Sequence, residues 1–212
     1  MHKRLVAFGD SFTFGNDLQD WNDLTPSKST WPALLAQDLG LTYICAAEPG
    51  ASNSSITRSV LSSDITSSDF VVLNWTWIDR WDFYNGGNWE TLRPSGTEKS
   101  VFARYYYKFF QSELWDKFET LKNIYLVHSL LRQRNITYIS TAIDELTLDA
   151  RWNCPAYIQT LIDQVSSDFI WFENRGFYHW ARQHKFEISS RMHPLEDAHR
   201  EAVAYIKNEI TL

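Results

Sequence analysis

The chain has 212 residues, a formal net charge of −6 and 33 aromatic residues, ten of them tryptophans. This length suits one domain, and 44% hydrophobic with 22% charged residues is the balance of a globular protein with a sizeable core. Lysine and arginine are scattered, which excludes a nucleic-acid-binding surface. Cys45 and Cys154 are too few for a disulfide framework; a single pair stays open, and free buried thiols are the default.

The N-terminal segment carries only four apolar residues before Gly9, which is too short for the core of a signal peptide. No apolar run approaches the length that crosses a bilayer. We therefore expect a soluble protein, cytoplasmic or otherwise, with no signal peptide and no membrane span.

Apolar runs bounded by turn residues predict strands at 5–8, 41–46, 69–75 and 136–143, with 169–172 as a candidate fifth. Between them, helices are predicted at 30–40, 52–63, 101–134 and 194–210. Residues 76–100 form a long aromatic excursion within one domain that spans 1–212. Alternating strands and helices predict a three-layer α/β/α sandwich with a mainly parallel, flavodoxin-like sheet of about five strands.

The first loop carries a serine in a turn, in the sequence Gly9-Asp10-Ser11-Phe12. A serine directly after a buried strand, flanked by glycines, presents its oxygen at the carboxyl rim of the sheet, where parallel sheets gather functional residues. There a base can deprotonate it, and nearby backbone amides can stabilise an oxyanion. Taken alone, the tripeptide is more often an ordinary turn.

A histidine near the C-terminal end of the sequence strengthens the interpretation of Ser11 as a nucleophile. His193 precedes Pro194 and the last predicted helix, so it is fixed at a loop-to-helix junction, where it can act as a general base. His199 lies further along that helix and suits a packing or hydrogen-bonding role. No Cys-x-x-Cys, His-x-x-x-His or phosphate-binding glycine pattern occurs, so neither a metal nor a cofactor is predicted.

Together these two ends resemble the GDSL/SGNH hydrolase family of serine esterases and lipases. The resemblance matches Gly9, Asp10 and Ser11 to the family's first block and His193 with Pro194 to its last. It also implies that Gly50, after the second strand, supplies an oxyanion amide. The resemblance spans the chain and implies Ser11 as nucleophile and His193 as base.

Two departures from the family pattern leave roles open. The family's Gly-x-Asn-Asp block after the third strand is absent, and Ile78 stands near the position of its asparagine. In the family that asparagine donates a hydrogen bond to the oxyanion. Asn53 or Asn74 is the expected substitute donor. Ser190 occupies the position of the family's aspartate, three residues before the histidine. A Ser-His dyad oriented by a backbone carbonyl is one solution. The other candidates for an orienting acid or a polar residue of the rim are Asp10, Glu187, Asp79 and Arg80, the last two as a functional or a structural ion pair.

The sequence thus predicts hydrolysis of a small-molecule or glycan ester, with the aromatic excursion favouring a carbohydrate O-acyl ester. The alternative is a binding or assembly module that kept the fold, lost catalysis and uses an aromatic-rich surface. A nucleotide-binding α/β domain is disfavoured, because the first loop lacks the required glycine pattern. No oligomeric state follows from the sequence.

Overall fold

The computed structural model describes residues 2–149 and 154–210. A parallel sheet is built from β1 (Arg4–Phe8), β2 (Thr42–Cys45), β3 (Asp69–Trp75) and β6 (Thr137–Ala142), in the order β2-β1-β3-β6. A separate antiparallel hairpin is built from β4 (Trp81–Asn85) and β5 (Asn88–Leu92). The order of the four parallel strands is the flavodoxin-like one that the sequence predicts.

The helices lie in the connections between and after these strands. They are α1 (Ser11–Phe14), α2 (Trp31–Asp38), α3 (Asn53–Leu61), α4 (Val101–Phe109), α5 (Glu113–Gln133), α6 (Ala156–Val165), α7 (Phe177–Gln183) and α8 (Glu196–Glu209). Single 3₁₀ turns occur at Pro94–Gly96, Glu145–Thr147 and Ser166–Asp168.

Each face of the sheet carries its own hydrophobic core. Side chains alternate along a strand, so Phe70 and Val72 of β3 join one core while Val71 and Leu73 join the other. Helices α2, α7 and α8 cover the first face, and α3, α5 and α6 cover the second. The predicted three-layer architecture with a mainly parallel sheet is confirmed.

Two element predictions were wrong in detail. The helix predicted over 101–134 is two helices, because Ser112 starts a new one by accepting a hydrogen bond from the backbone of Trp115. In the described residues the main sheet has four strands rather than about five, since Phe169 only forms an isolated parallel bridge with Ser140.

The aromatic excursion is the β4–β5 hairpin, which packs on α4. Trp81 stacks on Tyr106 with ring centroids 4.8 Å apart. Beside this stack lies an apolar pocket of about 300 Å³. Its lining residues are Trp81, Phe83, Leu92, Phe102, Tyr105, Tyr106 and Phe110. Phe102 and Phe110 are largely exposed, so much of the aromatic excess lies on this surface.

Cys45 and Cys154 are both free thiols. Among the described residues, no helix combines the length and the apolar character that a membrane crossing requires.

A buried histidine makes the stability of the fold sensitive to acid. His199 of α8 accepts a hydrogen bond from the backbone N–H of Trp31 through Nδ1, at 3.0 Å. Burial, with a smaller contribution from the charge of His193, lowers the pKa of His199 to about 3. Between about pH 6.5 and pH 3 the unfolded chain therefore carries a proton on this histidine and the folded chain does not. In that range the free energy of unfolding decreases by about 1.4 kcal/mol for each unit by which the pH is lowered.

We expect this histidine to account for about 2 kcal/mol of the stability lost between pH 7 and pH 5. His199→Gln keeps an acceptor for Trp31 and removes the titration. Urea unfolding at the two pH values should show a smaller loss in the variant than in the wild type. An equal loss in both proteins would contradict the assignment.

Candidate active site

Ser11 lies at the carboxyl end of β1, as the first residue of α1. Asp10 caps this helix, its Oδ1 accepting the backbone N–H of Phe12 at 3.0 Å. The turn is too tight for a side chain at Gly9, where a Cβ would lie 2.2 Å from Oγ1 of Thr13. These constraints hold Ser11 in one position, with only 7% of its surface exposed.

The second carboxylate oxygen of Asp10 ties the Ser11 turn to the end of β3. Oδ2 accepts hydrogen bonds from Oγ1 of Thr76 at 2.6 Å and from Nη1 of Arg80 at 2.8 Å. Arg80 also donates to the carbonyl of Ala51. Asp10 is therefore a buried anchor of the turn, and it does not contact the histidine as an orienting acid.

His193 reaches Ser11 from the loop before α8. Its Nε2 lies 2.9 Å from Oγ of Ser11. The loop is held by a short turn in which the backbone N–H of Ser189 donates to the carbonyl of His193 at 2.9 Å. The ring of Phe12 packs edge-on against the imidazole, with centroids 5.1 Å apart. The structure thus brings together the predicted nucleophile and base, which are 182 positions apart.

The carboxylate beside His193 comes from Asp17, a residue that the sequence reasoning missed. Its Oδ2 lies 2.7 Å from Nδ1 of His193, and it also accepts a hydrogen bond from Oγ of Ser189 at 2.7 Å. Arg191 forms an ion pair with the other oxygen. Asp17 follows the αL residue Gly15 by two positions and itself has a positive φ of 71°, which turns the chain toward the histidine.

This arrangement replaces the Ser-His dyad that was one alternative from sequence, and it leaves Glu187 and Ser190 without the orienting role. Neither the side chain of Ser190 nor that of Glu187 bonds to the imidazole, because Asp17 occupies Nδ1. The signal in the sequence was an aspartate on the first rim loop, six residues after Ser11.

The electrostatics of Asp17 suit a carboxylate that stays ionised. Burial favours its neutral form, but hydrogen bonds from His193 and Ser189 and the charges of His193 and Arg191 outweigh that effect and lower its pKa. An ionised carboxylate at Nδ1 holds the N–H on that atom and leaves Nε2 free to accept the proton of Ser11.

Ser11 and His193 open onto a cleft of about 670 Å³. Gly50 also lines this cleft, with a positive φ of 83°. Among the described residues, the backbone N–H groups of Ser11 and Gly50 donate to no protein acceptor. Two unpaired amides beside a serine oxygen are what an oxyanion hole requires.

Asn53 and Asn74 do not face this cleft as donors. Nδ2 of Asn53 donates to the carbonyl of Thr76 and to Oγ1 of Thr120, and its Oδ1 accepts from the backbone of Thr76. Asn74 bridges the hydroxyl groups of Thr13 and Thr141. Both amides are buried and already paired, so the expectation of an oxyanion donor at either residue has no support in this geometry.

Asp79 and Arg80 both line the cleft, but they do not form the ion pair that was considered from sequence. Arg80 pairs with Asp10 instead. Burial raises the pKa of the Asp79 carboxyl. The backbone carbonyl of Asp79 accepts a hydrogen bond from the hydroxyl of Tyr107. Trp77 and Phe12 supply the aromatic surface of the cleft.

A second Ser-His-Asp arrangement lies inside the protein. His128 Nε2 is 3.0 Å from Oγ of Ser140, and His128 Nδ1 is 3.2 Å from Oδ2 of Asp168. Ser140 and His128 have no exposed surface, and the indole of Trp75 donates to the serine oxygen. No substrate reaches this buried serine. Among the described residues, Nδ1 of His128 makes no hydrogen bond despite its proximity to Asp168, so the hydrogen-bonded part of the arrangement is the Ser140–His128 pair.

One cluster in the described residues has the donor types of a metal site. The ligand atoms of Asp144, Glu145 and His179 lie within 4.8 Å of one another. Glu145 is engaged by Nδ1 of His179 at 2.8 Å and by Arg175 at 2.9 Å. These contacts describe a surface ion-pair network, which explains the cluster without a metal.

Comparisons with known proteins rest on three-dimensional structure. Neither the models of protein families nor the curated protein sequences match this chain. A phospholipase A1 from Streptomyces albidoflavus superposes with a TM-score of 0.56 at 14% identity, covering 99% of this chain and 100% of that one. The chain has a GDSL/SGNH hydrolase fold.

Two further structures share the SGNH fold at similar distance. An acetylxylan esterase from Geobacillus stearothermophilus, solved as a catalytic mutant, gives a TM-score of 0.57 at 12% identity, with coverage of 100% and 96%. A psychrotrophic esterase from Pseudoalteromonas sp., inhibited by monoethylphosphonate, gives 0.52 at 10% identity, with coverage of 97% and 95%. These neighbours are hydrolases, and the likeness extends over essentially the whole SGNH fold.

Proposed function

We propose that this protein is a serine ester hydrolase with Ser11 as nucleophile, His193 as general base and Asp17 as the acid that orients the imidazole. The observation that carries the proposal is the continuous hydrogen-bonded chain from Ser11 through His193 to Asp17. It opens on a cleft and lies beside two unpaired amides. The SGNH fold supports the proposal through architecture alone.

The chemistry follows from this geometry. Oγ of Ser11 attacks the acyl carbon while Nε2 of His193 takes its proton, and the carbonyl oxygen becomes an oxyanion held by the amides of Ser11 and Gly50. His193 then gives the proton to the departing alcohol. Water, activated by the same nitrogen, releases the acyl group from Ser11. Asp17 stabilises the imidazolium in both halves, and water is the only co-reactant.

A fluorophosphonate probe and p-nitrophenyl acetate test the proposal together. The probe should label the wild type at Ser11, because labelling requires an activated serine. Ser11→Ala should lose both labelling and turnover, although Ser140 still lies beside His128. Wild-type turnover no greater than that of Ser11→Ala, with no labelling, would sink the proposal.

A carbohydrate O-acyl ester is the substrate class that we propose, for a narrower reason than the aromatic excursion. Trp81 and Phe83 of the excursion pack with α4, and Tyr84 and Trp89 pack with each other. Among the excursion's five aromatic residues, Trp77 lines the cleft, and Phe12 lines it from the Ser11 turn. Trp77 lines the same cleft as Ser11, where its indole can pack against a sugar ring. Acetylated xylo-oligosaccharides should be cleaved with a higher kcat/KM than p-nitrophenyl octanoate; the reverse order would favour a lipid ester.

The alternative of a non-catalytic binding module rests on the aromatic surface around Phe102 and Phe110. An apolar pocket rimmed by exposed rings fits a partner or ligand. The hydrogen-bonded Ser11–His193–Asp17 set favours the enzyme, since a module has no need to keep it. Saturable binding of a protein or glycan without any labelling of Ser11 would reverse this preference.

A further inference from the structure

The oxyanion site of this cleft has two backbone amides but lacks a side-chain donor on the β3 side. Ile78, which stands near the position of the family's asparagine, is buried and offers no N–H from its side chain. The two asparagines expected from sequence, Asn53 and Asn74, are committed to internal hydrogen bonds. A hydrolase of this kind loses roughly 3–4 kcal/mol of transition-state stabilisation without one donor, so a replacement donor is worth seeking among the cleft residues.

Arg93 is placed to be that donor. It lines the same cleft as Ser11 and His193, and its guanidinium rests on Gly50, where an added Cβ would lie 2.4 Å from Nη1. Gly50 carries one of the two unpaired oxyanion amides. Arg93 therefore lies next to the residue that carries one of the two amides.

In the part of the chain that the structure describes, the charge of Arg93 is also not balanced by an acidic side chain. The other two arginines of the cleft are neutralised, Arg80 by Asp10 and Arg191 by Asp17. Within residues 2–149 and 154–210, Arg93 forms neither an ion pair nor a side-chain hydrogen bond. A cation without a partner, beside a position where negative charge develops during the reaction, stabilises the transition state more than the ground state.

The hairpin that delivers Arg93 is anchored to the same part of the fold as Gly50. Arg58 of α3 pairs with Asp82 of β4 at 2.7 Å, and its guanidinium lies 4.1 Å from the ring centroid of Trp89 in β5. Helix α3 begins three residues after Gly50. Leu92, buried next to Arg93, fixes the end of the hairpin. The excursion therefore also positions Arg93 next to Gly50.

Asn16 is the rival donor, since its side chain also lines the cleft. Its Oδ1 is buried without a hydrogen-bond partner, and its Nδ2 can donate only as part of a neutral amide. Arg93 has five N–H donors and a permanent charge. On these grounds we propose that Arg93 supplies the third donor of the oxyanion hole, an inference that rests on the proposed esterase activity.

The test compares two acetyl esters that differ only in charge, neutral methyl 4-acetoxybenzoate and anionic 4-acetoxybenzoate. Arg93→Gln should lower kcat about 10²–10³-fold for both esters, with little change in KM. Arg93→Lys, which keeps a cationic donor, should recover part of the loss. Arg134→Gln, at an exposed arginine beyond α5, is the matched control and should leave both parameters unchanged.

Each other outcome overturns the inference in an identifiable way. A loss confined to the anionic ester and expressed in KM would make Arg93 a binding site for a substrate carboxylate. Wild-type kcat in Arg93→Gln, with a large loss in Asn16→Ala, would transfer the role to Asn16. Absence of Ser11-dependent hydrolysis in the wild type would overturn the esterase proposal and this inference together. Thermal unfolding of each variant checks that the fold is retained.

Discussion

Ser11→Ala and His193→Ala are each expected to lower kcat on the order of 10⁶-fold, and the double variant should lose no more than either alone. The reason is that the two side chains act as one unit. Without the base, the hydroxyl of Ser11 is a weak nucleophile, and without the serine the imidazole has no proton to take. The measurement is kcat for p-nitrophenyl acetate, corrected for hydrolysis in buffer.

Losses that multiply in the double variant would show two independent effects and would contradict a shared mechanism. A matched control is available at His184, an exposed histidine of the α7 end that pairs with Glu173. His184→Ala should keep the wild-type kcat. Circular dichroism should show that the three cleft variants remain folded, because Ser11 and His193 contribute little to either core.

Asp17→Asn carries the second largest expected effect, a loss of kcat of about 10⁴-fold. An asparagine can hold Nδ1 of His193 by presenting its amide N–H, which leaves the proton on Nε2 and the base unable to accept another. It also removes the negative charge that stabilises the imidazolium. KM should change little, since Asp17 contacts the imidazole rather than the cleft.

The control for this prediction is Glu187→Gln, which removes the carboxylate that sequence reasoning had considered near His193. It should retain the wild-type kcat. The opposite pattern, a large loss at Glu187 and a small one at Asp17, would show that the acid lies near the histidine after all. Measuring both variants with the same ester separates the two assignments directly.

Asp17 brings a carboxylate to Nδ1 of His193 from the loop after β1 rather than from the loop before α8. The loop after β1 and the loop before α8 meet at the rim of the sheet, so a carboxylate on either one can reach Nδ1 of His193. Ser189 helps by donating to Asp17 and by accepting the backbone N–H of His193. The serine at 190 therefore does not imply a missing acid.

Much of the fold was predictable because its determinants are local. Buried parallel strands appear as apolar runs, as 69–75 does, and the helix over Trp31–Asp38 has a proline at its start and a glycine after its end. The break between α4 and α5 was missed because Phe110 and Leu114 continue an apolar pattern on a face that the tertiary structure leaves exposed.

The oxyanion donors were harder to assign for a related reason. Asn53 and Asn74 have the right chemistry at the right rim, and only packing reveals that their amides are consumed inside the protein. Arg93 directly follows the β4–β5 hairpin, which the Arg58–Asp82 pair ties to α3. The local sequence around residue 93 does not indicate that the guanidinium of Arg93 lies next to Gly50.

By itself the sequence determined the layered α/β architecture, the turn that presents Ser11 and the junction that carries His193, because turns and buried strands are specified by nearby residues. Tertiary structure alone decided that these two side chains meet, that Asp17 completes the set and that Arg93 lies against Gly50. Those relations join residues 182, 176 and 43 positions apart. Residues so far apart in the sequence come together only because the chain folds into two hydrophobic cores on the two faces of one sheet.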